Sequence, residues 1–268
     1  MKQVNHYGQK DITLVVCAYK ECAYLRACIE SIMKQTVVPQ VLISTSTPNS
    51  YIQKIADEFG VSVCVNSDGG QIKDYNFAMK QGTTPLIMLM HQDELLHPLF
   101  VEKVLQELNK TKDPILAFTN YIEMHNDIVD QKASLMVRIK RMLLWPLWFK
   151  PLARRGFGKR LIQRFGNPIT HPTVVCVRER MPDPCFREEY KASMDWDLWE
   201  RLSRENGSFA YVSDVLLYHR MNDDNQTSKL FKTTNSRYEE ETLIFQRFWP
   251  DWIVKILMHF YSKASRYY

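Results

Sequence analysis

Four consecutive polar residues, His91, Gln92, Asp93 and Glu94, follow directly on the apolar run Pro85 to Met90. Asp93 and Glu94 are hard oxygen donors, the ligand type that holds Mg²⁺ or Mn²⁺ against a diphosphate. An acidic pair by itself is also a common helix cap, and a helix is predicted from near Pro98, so its significance depends on the element that presents it. Pro85 to Met90 is short and continuously apolar, which predicts a strand buried on both faces. A buried strand ending in polar residues is where an open α/β sheet holds its ligand, because the carboxyl ends of strands face the crevice.

The elements that would position this segment alternate in type. Ile12 to Cys17 reads as a buried strand, followed by a helix over Glu21 to Gln35 with Leu25, Cys28, Ile29, Ile32 and Met33 at helical spacing. Val41 to Thr45 is a second strand, Tyr51 to Phe59 a helix, Val61 to Val65 a third strand and Lys73 to Gln81 a short helix. This β-α-β-α-β-α-β order predicts a mostly parallel sheet flanked by helices. It brings Ala18 to Glu21, Ser44 to Thr47 and His91 to Glu94 to strand ends that share one crevice. After the helix from Pro98 to Asn109 come a strand over Ile115 to Phe118, a hairpin around Asn126 and Asp127, a strand over Thr173 to Val177, a helix over Asp195 to Glu205 and a strand over Phe209 to Tyr218. From Glu239 onward the pattern is one or two helices. The predicted organisation is a catalytic domain over 1–230, with a basic amphipathic insertion at 131–166, and a C-terminal helical extension over 231–268.

The 268 residues are 45% apolar and 24% charged, globular values that exclude a disordered or fibrous chain. No apolar run reaches the roughly 18 residues of a membrane span, and the N-terminus lacks the apolar core and cleavage site of a signal peptide. Six cysteines without metal-type pairing read as reduced thiols of a cytosolic protein. The net charge of +5 is unevenly spread. From Gln131 to Arg178 there are eleven Lys or Arg and no acid, so an acidic body carries one strongly basic segment.

Six stretches, in order from Asp11 to Ser228, resemble motifs of the family 2 glycosyltransferases with the GT-A fold, and among them the bacterial members that build surface polysaccharide. They are LVVCAYKE, VLISTSTPNS, GGQIKDYNFA, MLMHQDE, MDWDLWERL and LLYHRMNDDNQTS. This chain departs from the family pattern at three places. His91 stands where the first Asp of the acidic motif is common, Met194 replaces the Glu of the E-D pair, and Asn222 stands where a His is usual.

The resemblance implies a GT-A fold and inverting transfer of a sugar from a nucleotide-diphosphate sugar, a UDP-sugar in the first place, to an acceptor hydroxyl. Such a reaction needs a base to take the acceptor proton and a cation to neutralise the departing diphosphate. By resemblance Asp195 is the base, with Asp197 as second candidate, and Asp93 with Glu94 holds Mg²⁺ or Mn²⁺. Tyr19, Glu21, Ser46, Thr47, Lys73, Asp74, Asn76, His91, Gln92, His219 and Arg220 are then the expected donor contacts. His171 reads as a structural histidine.

The segment from Leu135 to Phe165 mixes apolar blocks too short to span a bilayer with clustered cations, a composition suited to an anionic membrane surface. Trp145, Trp148 and Phe149 would lie at the headgroup boundary, with Arg154, Arg155, Lys159 and Arg160 against the lipid charge. The expectation is a cytoplasmic enzyme, peripheral on the inner face of the membrane, acting on a glycan or lipid-linked acceptor. Nucleic acid is not expected as a partner, because these aromatics sit in an apolar run and are not interleaved with the charges. Two alternatives share the fold. A sugar nucleotidyltransferase calls for a Gly-rich basic loop after the first strand, and CAYKECAY has no glycine. A binding or scaffolding protein without catalysis is favoured by His91 and Asn222 and disfavoured by Asp93 and Asp195.

Overall fold

The computed structural model describes residues 6–221 and 236–264, with side chains as far as residue 259. The expectation about Asn222 lies outside the described residues. In chain order the strands are β1 (Ile12–Ala18), β2 (Gln40–Thr45), β3 (Ser62–Val65), β4 (Leu86–His91), β5 (Leu95–Leu96), β6 (Pro114–His125), β7 (Ile128–Val129), β8 (Val174–Val177) and β9 (Ser208–Arg220). The helices are α1 (Leu25–Met33), α2 (Ser50–Phe59), α3 (Gln71–Gln81), α4 (Phe100–Lys110), α5 (Leu135–Leu143), α6 (Lys150–Arg154), α7 (Gly156–Leu161), α8 (Met194–Arg204), α9 (Ser236–Gln246) and α10 (Asp251–Ala264).

One sheet runs in the order β3-β2-β1-β4-β8-β6-β9-β5, with β7 paired to β6. β3, β2, β1 and β4 are mutually parallel, as the alternating pattern predicts. β8 is antiparallel to both β4 and β6, while β6 and β9 are parallel to each other. The sheet is therefore α/β and mixed, with its parallel half carrying the strand-end loops. β4 is central, and Leu86 to Met90 are buried on both faces, which accounts for its unbroken apolar run. The two-residue β5 was not legible from sequence because so short a strand has no periodicity. It pairs Leu95 and Leu96 with Tyr218 and Leu217, which brings the acidic turn beside the end of β9.

The expected hairpin is present, with Asn126 and Asp127 at φ 48° and 63°, a left-handed pair joining β6 to β7. The C-terminal helices α9 and α10 pack on α8, where Ile244, Phe245, Val254 and Met258 enclose Trp196.

The basic segment differs from a free amphipathic face. Its helices α5, α6 and α7 are short, and Val137, Leu144, Leu147, Ala153 and Ile162 are built into the core. Lys159 is 0% exposed; its Nζ donates to the Glu205 carbonyl at 2.5 Å and lies 5.3 Å from the Phe209 ring centre. Burial, then the nearby Arg180, lowers its ammonium to about 8. Arg160 is paired with Glu200 and donates to the Arg247 carbonyl. Lys159 therefore belongs to the interior and the half-buried Arg160 is held by Glu200, which corrects the expectation that these two cations face lipid. Lys150, Arg154 and Arg155 are exposed, as are Trp145, Trp148 at 67%, Phe149 and Phe157.

Candidate active site

Because β1, β2 and β4 are parallel and in register, their carboxyl ends deliver three loops to one edge of the sheet. Short polar side chains join them. The Gln92 amide closes on the Tyr19 backbone in both directions, accepting from its N–H at 3.0 Å and donating to its carbonyl at 3.1 Å. The next residue, Lys20, is left-handed at φ 54° and donates its N–H to Thr47 Oγ1 at 2.6 Å. Ser46 Oγ donates to Asp74 Oδ2 at 2.8 Å, and Asn66 Nδ2 donates to Oδ1 at 2.7 Å. Asp74 thus ties the loops after β2 and β3 to the start of α3, which Gly69 and Gly70 reach at φ 60° and 110°. Tyr19, Glu21 and Lys73 lie exposed at the rim. The Asn76 amide donates to the Phe186 carbonyl at 2.8 Å and accepts from its N–H at 2.9 Å, so it braces the wall of the site.

The acidic turn sits at the end of β4. Glu94 is 1% exposed; its Oε1 accepts from His219 Nδ1 at 2.6 Å, and its Oε2 is buried with no hydrogen-bond partner. Asp93 is half-buried, and burial followed by the charge of Glu94 raises its carboxyl, against His91 and His219, which hold it down. Burial pulls His219 down, but the charge and hydrogen bond of Glu94, with Asp93, outweigh this and hold the imidazole above its ordinary value. Ligand atoms of His91, Asp93 and Glu94 lie within 4.8 Å of one another. Two desolvated carboxylates with an orphan oxygen suit a divalent cation, so the residues present fit the expected metal. Arg220 departs from its expected role as a donor contact. It is buried, stacks 3.9 Å over Tyr24, pairs with Asp127 and donates Nε to the Asp93 carbonyl at 3.1 Å. It fastens the acidic turn to the β6–β7 hairpin and is not a free phosphate contact.

Asp195 opens α8. Its Oδ1 accepts from the Trp196 N–H at 2.7 Å and its Oδ2 from Asn167 Nδ2 at 2.9 Å. Burial raises its carboxyl, opposed by the Trp196 N–H, Lys140, Asn167 and Arg237. A half-buried carboxylate raised but still supported by donors is a suitable general base. Asp197, the second candidate, is eliminated: it is fully buried and paired with Arg201 at 3.0 Å and Arg247 at 2.7 Å. One turn ahead of α8, Glu240 of α9 accepts from the backbone N–H groups of Lys191, Ala192 and Ser193 at 3.0, 2.9 and 2.8 Å.

Tyr75 joins these parts. Burial raises its hydroxyl, and the nearby acidic groups Asp93, Asp195 and Asp74 add to that. Its Oη is 3.2 Å from His91 Nε2, which is also 3.4 Å from His171 Nδ1. His171 is buried against Phe186 and Trp199, and burial, then His91, lowers it to about 3. Its ring centre lies 5.5 Å from that of His91. Tyr75, Asn167 and Glu240 escaped the sequence reading. Tyr75 stands inside GGQIKDYNFA, whereas nothing local distinguishes Asn167 or Glu240. A cleft of about 620 Å³ elsewhere on the molecule is lined by residues such as Arg180, Arg187 and Arg247 and by none of the candidates. Its arginines are paired with Asp113, Asp197 and Glu200.

Comparison with known proteins agrees with this fold. An uncharacterized glycosyltransferase of Haemophilus influenzae is 24% identical over 229 residues, covering 82% of this chain and 68% of the relative. The crystal structure of S. aureus TarS 1–349 in complex with UDP-GlcNAc superposes with a TM-score of 0.62 at 14% identity, over 92% of this chain and 70% of that one. Glucosyl-3-phosphoglycerate synthase from Mycobacterium tuberculosis, in complex with Mn²⁺ and UDP-glucose, gives 0.56 at 18% identity, over 90% and 80%. The family described as Glycosyltransferase like family 2 matches residues 9–241. With that match across the sheet, the acidic turn and α8, the chain belongs to the family 2 glycosyltransferases.

Proposed function

We propose that this protein transfers a sugar from a nucleotide-diphosphate sugar, UDP-linked in the first place, to an acceptor hydroxyl with inversion at the anomeric carbon. The observation that carries this reading is a pair of sites: the turn after β4, where Glu94 Oε2 is buried without a partner beside Asp93, and Asp195 at the start of α8, held by Asn167 Nδ2 and the Trp196 N–H. Asp195 accepts the acceptor's proton as its oxygen attacks. Asp93 and Glu94 would hold Mg²⁺ or Mn²⁺, which when bound supplies positive charge for the departing diphosphate. The rim of Tyr19, Glu21, Ser46, Thr47, Lys73 and Asp74 receives the nucleotide, and the two neighbours described above both bind UDP-sugars.

The acceptor in this reading is a lipid-linked sugar of cell-surface polysaccharide synthesis, met at an anionic membrane. No helix among the described residues is long and apolar enough to cross a bilayer. Support for surface attachment is the exposed set Trp145, Trp148, Phe149 and Phe157 beside Lys150, Arg154 and Arg155.

Two measurements test the proposal. Isothermal titration of UDP with Mn²⁺ should give a clear affinity that Asp93→Asn removes without changing the melting profile; equal affinities would sink the nucleotide assignment. Wild type should float with anionic liposomes at low salt and release at high salt. The variant with Lys150, Arg154 and Arg155 changed to Glu should stay in solution, and indifference to lipid charge would refute the membrane role.

A further inference from the structure

His91 is the residue that departs from an all-carboxylate turn, and its surroundings give that departure a chemistry. It ends β4 half-buried, with its two ring nitrogens in different environments. Nε2 has two partners, Tyr75 Oη at 3.2 Å and His171 Nδ1 at 3.4 Å. Nδ1 makes no hydrogen bond among the described residues, and its nearest acidic atom, Glu94 Oε1, is 3.8 Å away. Glu94 adds an independent sign of a ligand, for it is 1% exposed and its Oε2 is buried without a partner. An unpaired buried carboxylate oxygen is costly unless a cation or donor completes it.

We infer that His91 Nδ1 is itself a cation ligand, making with Asp93 and Glu94 a mixed nitrogen–oxygen site that favours transition-metal ions over Mg²⁺. This rests on the proposed metal-dependent function and goes beyond it in naming the donor and the selectivity. Ligand atoms of the three residues fall within 4.8 Å of one another. Donors about 2.2 Å from a shared ion stand about 3 to 4.4 Å apart, so small side-chain adjustments let all three reach it. Ligation through Nδ1 requires the ring proton on Nε2, and a metal-bound imidazole ordinarily donates that N–H to a fixed acceptor. Tyr75 Oη and the buried His171 Nδ1 are acceptors already in place. An imidazole nitrogen favours ions later in the first transition row, whereas Mg²⁺ prefers oxygen and retains its waters. The competing account is a protonated His91 acting only as a charge partner of Glu94.

The two accounts separate by spectroscopy on the full chain. Mn²⁺-loaded wild type, with UDP present, should give a nitrogen coupling in pulsed electron paramagnetic resonance. The coupling should change from the ¹⁴N to the ¹⁵N pattern in labelled protein and disappear in His91→Asn. By calorimetry the Co²⁺-over-Mg²⁺ preference should fall about 10-fold or more in that variant. Bound Mn²⁺ that is lost in Asp93→Asn but shows no nitrogen coupling in wild type overturns the role of His91 and leaves the proposed function standing. Failure of wild type to bind Mn²⁺ with or without UDP overturns both. The wild-type spectrum decides the matter even if His91→Asn folds poorly.

Discussion

Glu240→Ala tests whether the C-terminal helices do more than cover α8. The carboxylate of Glu240 is buried and accepts three backbone N–H groups, from Lys191, Ala192 and Ser193, at 2.8 to 3.0 Å. A hydrogen bond to a charged group contributes about 1.5–3 kcal/mol net, and three bonds sharing one carboxylate add less than their sum, so the substitution should cost about 3–5 kcal/mol. For a chain of this size that lowers the melting temperature by roughly 6–15 °C. The freed backbone immediately precedes Asp195, and a misplacement of about 1 Å at a reacting group can cost on the order of 10²-fold in turnover. UDP affinity should stay within about 2-fold, because the strand-end wall shares no contact with Glu240. The assay is calorimetric melting together with steady-state transfer or donor hydrolysis, measured below the melting range. Glu239→Ala, at an exposed neighbouring position, is the control and should match wild type. A melting temperature within about 1 °C of wild type would refute the energetic argument. A large loss of stability with unchanged kcat would show that Glu240 holds the helices together without positioning the base.

Asp195→Asn should lower turnover by about 10²- to 10⁴-fold with donor affinity little changed, whereas Asp197→Asn should chiefly destabilise, because it leaves Arg201 and Arg247 facing a neutral group. Similar loss of kcat at full stability in both variants would contradict the separation of roles. Asn167→Ala removes a donor that lowers the Asp195 carboxyl, so the acidic limb of the pH–rate profile should move to higher pH; an unmoved limb would exclude Asp195 as the titrating base. Lys159 is held near pH 8 in the fold against an ordinary 10.5, so the unfolded chain binds more protons between those values and stability should rise as pH increases through that window. Lys159→Met should lack this rise, which for a shift of that size is on the order of 2–3 kcal/mol. A gap between wild type and Lys159→Met that is constant from pH 7.5 to 10 would refute the argument.

The chain determined the parallel half of the sheet through local patterns. Continuous apolar runs of strand length at β1, β2 and β4, separated by helix-period segments, admit few arrangements, because right-handed crossovers bring successive strand ends to one edge. The expected loops at Tyr19 to Glu21, Ser46 to Thr47 and His91 to Glu94 therefore meet, and Asp195 lies in the first turn of a helix that begins one residue earlier, at Met194. Sequence alone could not determine which polar groups remain free to act. Arg220, Asn76, Asp197 and Lys159 carry suitable chemistry, yet each is occupied by a partner distant in the chain: Asp127, Phe186, Arg247 and Glu205. Likewise Tyr75, His91 and His171 lie on α3, β4 and the approach to β8, and only the antiparallel insertion of β8 beside β4 brings the two imidazoles to 3.4 Å. Burial and pairing of long polar side chains depend on which surfaces close over them, a property of the folded whole with no local period to read.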